Sequence, residues 1–270
     1  MSRSSTTTDR GLRLHGFTPQ DLLVRLPTHG ISTHPGEVLR EDYLPDLGWT
    51  AKELATRLRL PQDQVTALLA EREHVTPELA LRLGKLFGQS PALWFKRQLA
   101  HNYHAAFTSA DEDLGRIRPA FVEPRRHEAS PPTRGSRVSP VRPLRLHGFT
   151  PNDLMVHLPA HGKARHPGEV LREDYLPQLG WTAADLARRL RVEVTVAEDL
   201  LAEKARVTPE LALRLAKLFR QPPRVWILMQ LGSDYCDAFR AADKDLERIE
   251  TIPDPREVDG VEPEPLRKAS

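Results

Sequence analysis

Residues 50–69 read TAKELATRLRLPQDQVTALL, and this stretch decides the fold. Thr50 followed by Glu53 is a capping box. The threonine oxygen accepts from the amide three residues on, and the carboxylate reaches back to the threonine amide. Leu54, Ala55 and Leu58 then fall on one face of a helix. The chain breaks around Leu60-Pro61, because proline lacks the N–H that a continuing helix would use. A second short helix follows, with Val65, Leu68 and Leu69 as its apolar stripe. Two short helices separated by a few residues, with a small Ala55 at their crossing, predict a helix-turn-helix. In such a motif the second helix is the one that enters the major groove of DNA.

The flanking sequence is helical as well. Thr18-Pro19-Gln20-Asp21 opens the segment DLLVRL with a capping threonine and proline at the first helical position. His34-Pro35-Gly36-Glu37 starts a helix through VLREDYL that is expected to stop at Pro45. Trp49 stands before the capping Thr50 as a hydrophobic-staple residue. Thr76-Pro77-Glu78 caps a helix carrying Leu79, Leu81, Leu83, Leu86 and Phe87, closed by Gly88. Ser90-Pro91 caps a last helix through Leu93, Trp94, Leu99 and Tyr103. No alternating strand pattern is present, so the expected class is all-α, with five or six short helices.

The whole arrangement occurs twice. Residues 12–118 align without a gap with residues 144–250, and most positions carry the same residue. The expected organisation is a first copy at 12–118 (core 34–103), a linker at 119–143 and a second copy at 144–250 (core 166–235). The linker is rich in Pro, Arg and Ser, and the acidic, Pro-rich tail at 251–270 is expected to be disordered, like residues 1–11.

Composition narrows the function. The 270 residues, 39% hydrophobic and 28% charged, suit two cytoplasmic domains, and a net charge of +2 neither demands nor excludes nucleic acid. The start MSRSSTTTDR has no apolar signal core, and no run approaches the ~20 apolar residues that cross a bilayer. The single cysteine, Cys236, offers no disulfide and no zinc-binding pair. The histidines His15, His29 and His34, repeated as His147, His161 and His166, lack the spacing of a metal site. HExxH, GxSxG and phosphate-cradling glycine loops are absent. The expectation is a non-enzyme with no cofactor, no metal and no membrane partner.

Three stretches carry a family resemblance: HPGEVLREDYL at 34–44, LGWTAKELATRL at 47–58 and VTPELALRLGKLFGQSPALWFKRQ at 75–98. Together they resemble the HigA-type antitoxins of the phage-repressor (XRE) helix-turn-helix family, over about residues 34–103 and again over 166–235. The resemblance implies lambda-repressor-like domains, a dimeric repressor of its own operon acting on palindromic operator DNA, and a small RelE/ParE-like ribonuclease toxin as partner. Two copies in one chain could form an intramolecular pseudo-dimer, or chains could pair as a homodimer. The sequence departs from the family at the turn, where glycine is usual and Arg59 and Arg191 stand. It departs also in the second helix, which usually begins with Ser and carries Arg, Gln and Asn.

Side-chain chemistry selects the candidate contacts. Gln62 and Gln64 suit adenine edges and Thr66 a thymine methyl, making them the base readers of the first copy. Lys52, Arg57, Arg59 and Arg72 are its phosphate contacts. In the second copy the candidates are weaker: Arg188, Arg191, Thr195 and Lys204. There Glu193, Glu198, Asp199 and Glu203 would meet phosphates unfavourably. An alternative therefore stays open, a protein-interaction scaffold that no longer reads DNA and binds through the apolar helices at 93–107 and 225–239.

Overall fold

The computed structural model describes residues 32–109, 111–120, 163–241 and 243–252, together with 24, 155, 156 and 158. The expected opening helix at Thr18, residues 121–143 of the linker and the tail from 253 lie outside the described residues. Among the described residues every regular element is helical. The first half comprises α1 (Pro35–Val38), a π-helical turn (Leu39–Tyr43), α2 (Leu44–Leu47), α3 (Ala51–Leu58), α4 (Gln62–Leu69), α5 (Pro77–Phe87), α6 (Pro91–Ser109) and α7 (Asp111–Arg116). The second repeats it: α8 (Pro167–Val170), a π-helical turn (Leu171–Tyr175), α9 (Leu176–Leu179), α10 (Ala183–Leu190), α11 (Val194–Leu201), α12 (Pro209–Phe219), α13 (Pro223–Ala241) and α14 (Asp243–Glu247).

Pro45 does not stop the helix that begins at Pro35; the chain stays helical to Leu47. The physical reason is the π-turn before it. With the Leu44 amide bonded five residues back to the Leu39 carbonyl, the backbone is already one residue out of α-helical register where proline enters. Gly48, with φ 65°, ends the helix in the left-handed conformation.

The His-Pro-Gly opening has a packing role. His34 Nδ1 accepts the Gly36 amide at 3.0 Å and caps the helix. A Cβ at Gly36 would overlap the Leu68 carbonyl oxygen, so glycine lets α1 lie directly against the end of α4. His166 and Gly168 repeat both features against Leu200.

His34 is buried, its ring 5.0 Å from that of His101 and 6.3 Å from that of His74. Burial, reinforced by His101, lowers its pKa from 6.5 to about 4, with Glu71 opposing and Arg40 assisting. Burial lowers His166 as well. Between these pH values the unfolded chain binds more protons than the folded one, so stability is complete above about pH 6.5 and is lost as the pH falls toward 4. The melting temperature is therefore expected to drop from pH 7.5 to pH 5. His34→Asn, which keeps a capping oxygen, should shrink that drop. An unchanged drop in the variant would show that His34 does not set it.

The repeat units and the hydrophobic cores do not coincide. The first core gathers Leu39, Leu54, Leu58, Val65, Leu68, Leu81, Leu83 and Trp94 of the first half with Leu231, Tyr235, Phe239, Leu246 and Ile249 of the second. The second core reciprocates: Leu171, Leu186, Leu190, Leu200, Leu213 and Trp226 pack with Leu99, Tyr103, Phe107, Leu114 and Ile117. Each long helix therefore starts in the core of its own half and ends in that of the other. Two backbone bonds close the exchange: Ala120 donates to the Leu218 carbonyl at 2.7 Å, and Ile252 to the Leu86 carbonyl at 2.8 Å. The apolar faces at 93–107 and 225–239 are largely spent inside the molecule, with Leu93 the one large apolar side chain of them that is exposed.

Candidate nucleic-acid interface

The motif at 50–69 forms as its sequence dictates. Thr50 Oγ1 accepts the Glu53 amide at 3.3 Å, and Glu53 Oε2 accepts the Thr50 amide at 2.6 Å. Bonds donated by the Thr50 amide and hydroxyl hold the Glu53 carboxyl below its ordinary pKa. Leu54, Ala55 and Leu58 are buried, and α4 packs across α3 on Val65 and Leu68. Thr182 and Asp185 build the same box on α10.

Between the two helices the chain turns through Arg59, at φ 55°, and through Arg191, at φ 58°. An L-residue pays roughly 1–2 kcal/mol in this region, and here surrounding contacts fix it. The buried Arg82 of α5 donates from Nη1 to the Leu58 carbonyl at 2.9 Å and the Arg59 carbonyl at 3.3 Å, while Glu78 accepts its Nε and Nη2. The end of α4 is held too: Arg40 donates to the Leu69 carbonyl and pairs with Glu71 at 3.2 Å. Arg214 and Arg172 repeat these roles in the second half.

On this frame Gln62 and Thr66 are exposed and Gln64 is half-buried at the edge of α4. The Thr66 hydroxyl donates back to the Gln62 carbonyl at 2.8 Å, which leaves its methyl as the outward group. Lys52, Arg57 and Arg72 are exposed. The Arg57 guanidinium lies 4.2 Å over the Trp49 ring, which orients it without burying its charge. Arg59 is already engaged: its Nε meets Asp245 of the other half at 3.3 Å. In the second half Arg191 is likewise engaged by Asp113 at 2.8 Å, and Arg188 by Asp185 at 2.7 Å; Thr195 and Lys204 are exposed. Of the four carboxylates expected to oppose phosphate there, Glu203 is turned onto Arg172 and Lys163. Glu193, Glu198 and Asp199 remain exposed.

No protein-family model matches the chain. Virulence-associated protein I of Dichelobacter nodosus is 36% identical over 73 residues, covering 27% of this chain and 68% of that protein. The helix-turn-helix transcriptional regulator YbaQ of Escherichia coli K12 is 33% identical over 87 residues, covering 32% of this chain and 77% of the regulator. The chain belongs to this helix-turn-helix regulator family. A solved structure of Pseudomonas aeruginosa antitoxin HigA with the higBA promoter is 29% identical to this chain, with a TM-score of 0.31, over 32% of this chain and 94% of that one.

Several residues of the candidate site were not singled out as contacts from the sequence. Arg189, not Arg188, stands in the position of Arg57, 4.0 Å over Trp181; comparing the repeats residue by residue exposes it. Arg82 carries a sequence signal, an arginine on the apolar stripe of α5, four residues after Glu78. Asp113 and Asp245 carry none, because each acts on the opposite half. Among the described residues no helix is long and apolar enough to cross a membrane, and no group of three or more His, Cys, Asp or Glu could hold a metal ion.

Proposed function

We propose that the chain is a DNA-binding transcriptional regulator of HigA type, built as a tandem duplication, whose two motifs act as an intramolecular pseudo-dimer on operator DNA. The observation that carries it is the pair of motifs held on reciprocally exchanged cores, each leaving the outer face of its second helix exposed. Such reciprocity is the arrangement of a two-fold dimer interface, here within one chain. One chain then presents two reading helices without a concentration-dependent pairing step. Gln62, Gln64 and Thr66 read bases, and Lys52, Arg57 and Arg72 contact phosphates. Arg59 reaches a phosphate only by leaving Asp245. Repression of its own operon and neutralisation of a small ribonuclease toxin follow from the resemblance to HigA-type antitoxins. The exposed carboxylates of α11 weaken the second motif's approach to phosphate and are the observation that favours the alternative, a protein-interaction scaffold.

Fluorescence anisotropy of the full chain on its own upstream DNA, against scrambled DNA at two salt concentrations, tests the proposal. Tight binding to the upstream sequence alone is expected. Gln62→Ala with Gln64→Ala should erode the sequence preference. Arg57→Ala should weaken binding to all duplexes and lower the salt slope by about one. Equal, weak, salt-labile binding to both duplexes would leave the scaffold.

A further inference from the structure

We propose that the second motif reads thymine methyl groups through Val194 and Val196, so that the chain recognises a duplex with two unlike half-sites. This rests on the DNA-binding function above and specifies its ligand.

The two reading helices are presented alike. Each has eight residues, follows an arginine in the left-handed conformation, buries the residues at its fourth and seventh positions, and has an arginine donating to the carbonyl of its last residue. The outward chemistry differs throughout. Gln62 corresponds to Val194, Asp63 to Thr195, Gln64 to Val196, Thr66 to Glu198 and Ala67 to Asp199. Similar presentation with glutamine amides in one half and valine methyls in the other gives the two helices different preferences at these positions, so a palindrome does not suit both equally.

Val194 and Val196 are 42% and 38% exposed. Neither supports the core of its half, which Ala197 and Leu200 supply from this helix. β-Branched residues at exposed helical positions also forgo some helix propensity. At a major-groove edge, an apolar side chain finds a match in the C5 methyl of thymine, whereas glutamine matches the N6 and N7 of adenine. The exposed methyl groups sit where the first half carries its two glutamines. Glu198 and Asp199 can accept from cytosine N4 but repel phosphate. The exposed Arg189 and Lys204 offset part of that repulsion. The second contact is therefore the weaker one. It contributes because the exchanged cores join it to the first in one molecule, making its binding intramolecular.

The test is selection of the full chain on a randomised duplex pool, followed by anisotropy on the selected duplex with deoxyuridine replacing thymine, which removes only the methyl. Two unlike half-sites are expected. Uracil in the Val194 half should weaken binding about fourfold for each contacted methyl. The double variant Val194→Ser, Val196→Ser, altered only at exposed positions, should bind the thymine duplex equally weakly and ignore uracil. A palindromic consensus, or uracil sensitivity that persists in the variant, would overturn the proposal. So would a consensus confined to one half-site, which would leave the α11 face to a protein partner. Failure to select any sequence would instead overturn the DNA-binding function itself.

Discussion

Phe107→Ala is expected to destabilise the molecule by about 3–5 kcal/mol, the usual cost of removing a buried aromatic ring, and to do so in the half that does not contain it. Phe107 is 2% exposed and lies in the second core, with residues of α9 to α12. Its neighbours there include Tyr103, whose ring is 6.2 Å away, and Leu114 and Ile117 of the same half. The cavity would open beneath the second helix-turn-helix. Hydrogen exchange followed by mass spectrometry should therefore show protection lost first across residues 167–219, with residues 35–87 affected later. Phe239→Ala should give the mirror pattern, because it occupies the first core. Loss of protection confined to the mutated half in both variants would contradict the exchange of helices.

Arg82→Leu is expected to cost about 3 kcal/mol and to loosen the turn ahead of the first reading helix. The guanidinium is 5% exposed and satisfies two carbonyls at the end of α3, those of Leu58 and Arg59. Leucine restores apolar volume but leaves both oxygens without donors, at roughly 1–3 kcal/mol for each buried unsatisfied group. Glu78, 42% exposed, can turn to water and recover part of its hydration. Lysine at position 82 should recover less than half of the loss, since a single ammonium cannot serve two carbonyls and a carboxylate in the planar geometry of the fork. Urea unfolding measures the cost, and a change below roughly 0.5 kcal/mol in Arg82→Leu would show that water replaces the guanidinium without penalty.

Much of this was legible in the chain because its causes are local. The box of Thr50 and Glu53, the caps at Thr76 and Gly88 and the stripes of α3 to α5 are set by residues within four positions of one another, and they appear where the sequence puts them. The exposure of Gln62 and Thr66 follows from the same periodicity, as their neighbours Val65 and Leu68 must face the core. Pro45 misled because a proline stops a regular α-helix, and the π-turn that accommodates it has no clear local signature. Arg59 read as a phosphate contact and Arg191 as a weaker candidate until folding set Asp245 and Asp113 beside them from the opposite half.

The sequence by itself determined the helices, their caps, the duplicated motif and the chemistry of its outward faces. Only the tertiary structure decided which core each long helix completes. Tyr103 and Phe107 are matched by Tyr235 and Phe239, so the end of either long helix fits either core, and local pattern cannot choose between them. The choice lies in contacts between residues more than a hundred positions apart, such as Arg59 with Asp245 and Leu86 with Ile252, which form only when the whole chain has folded.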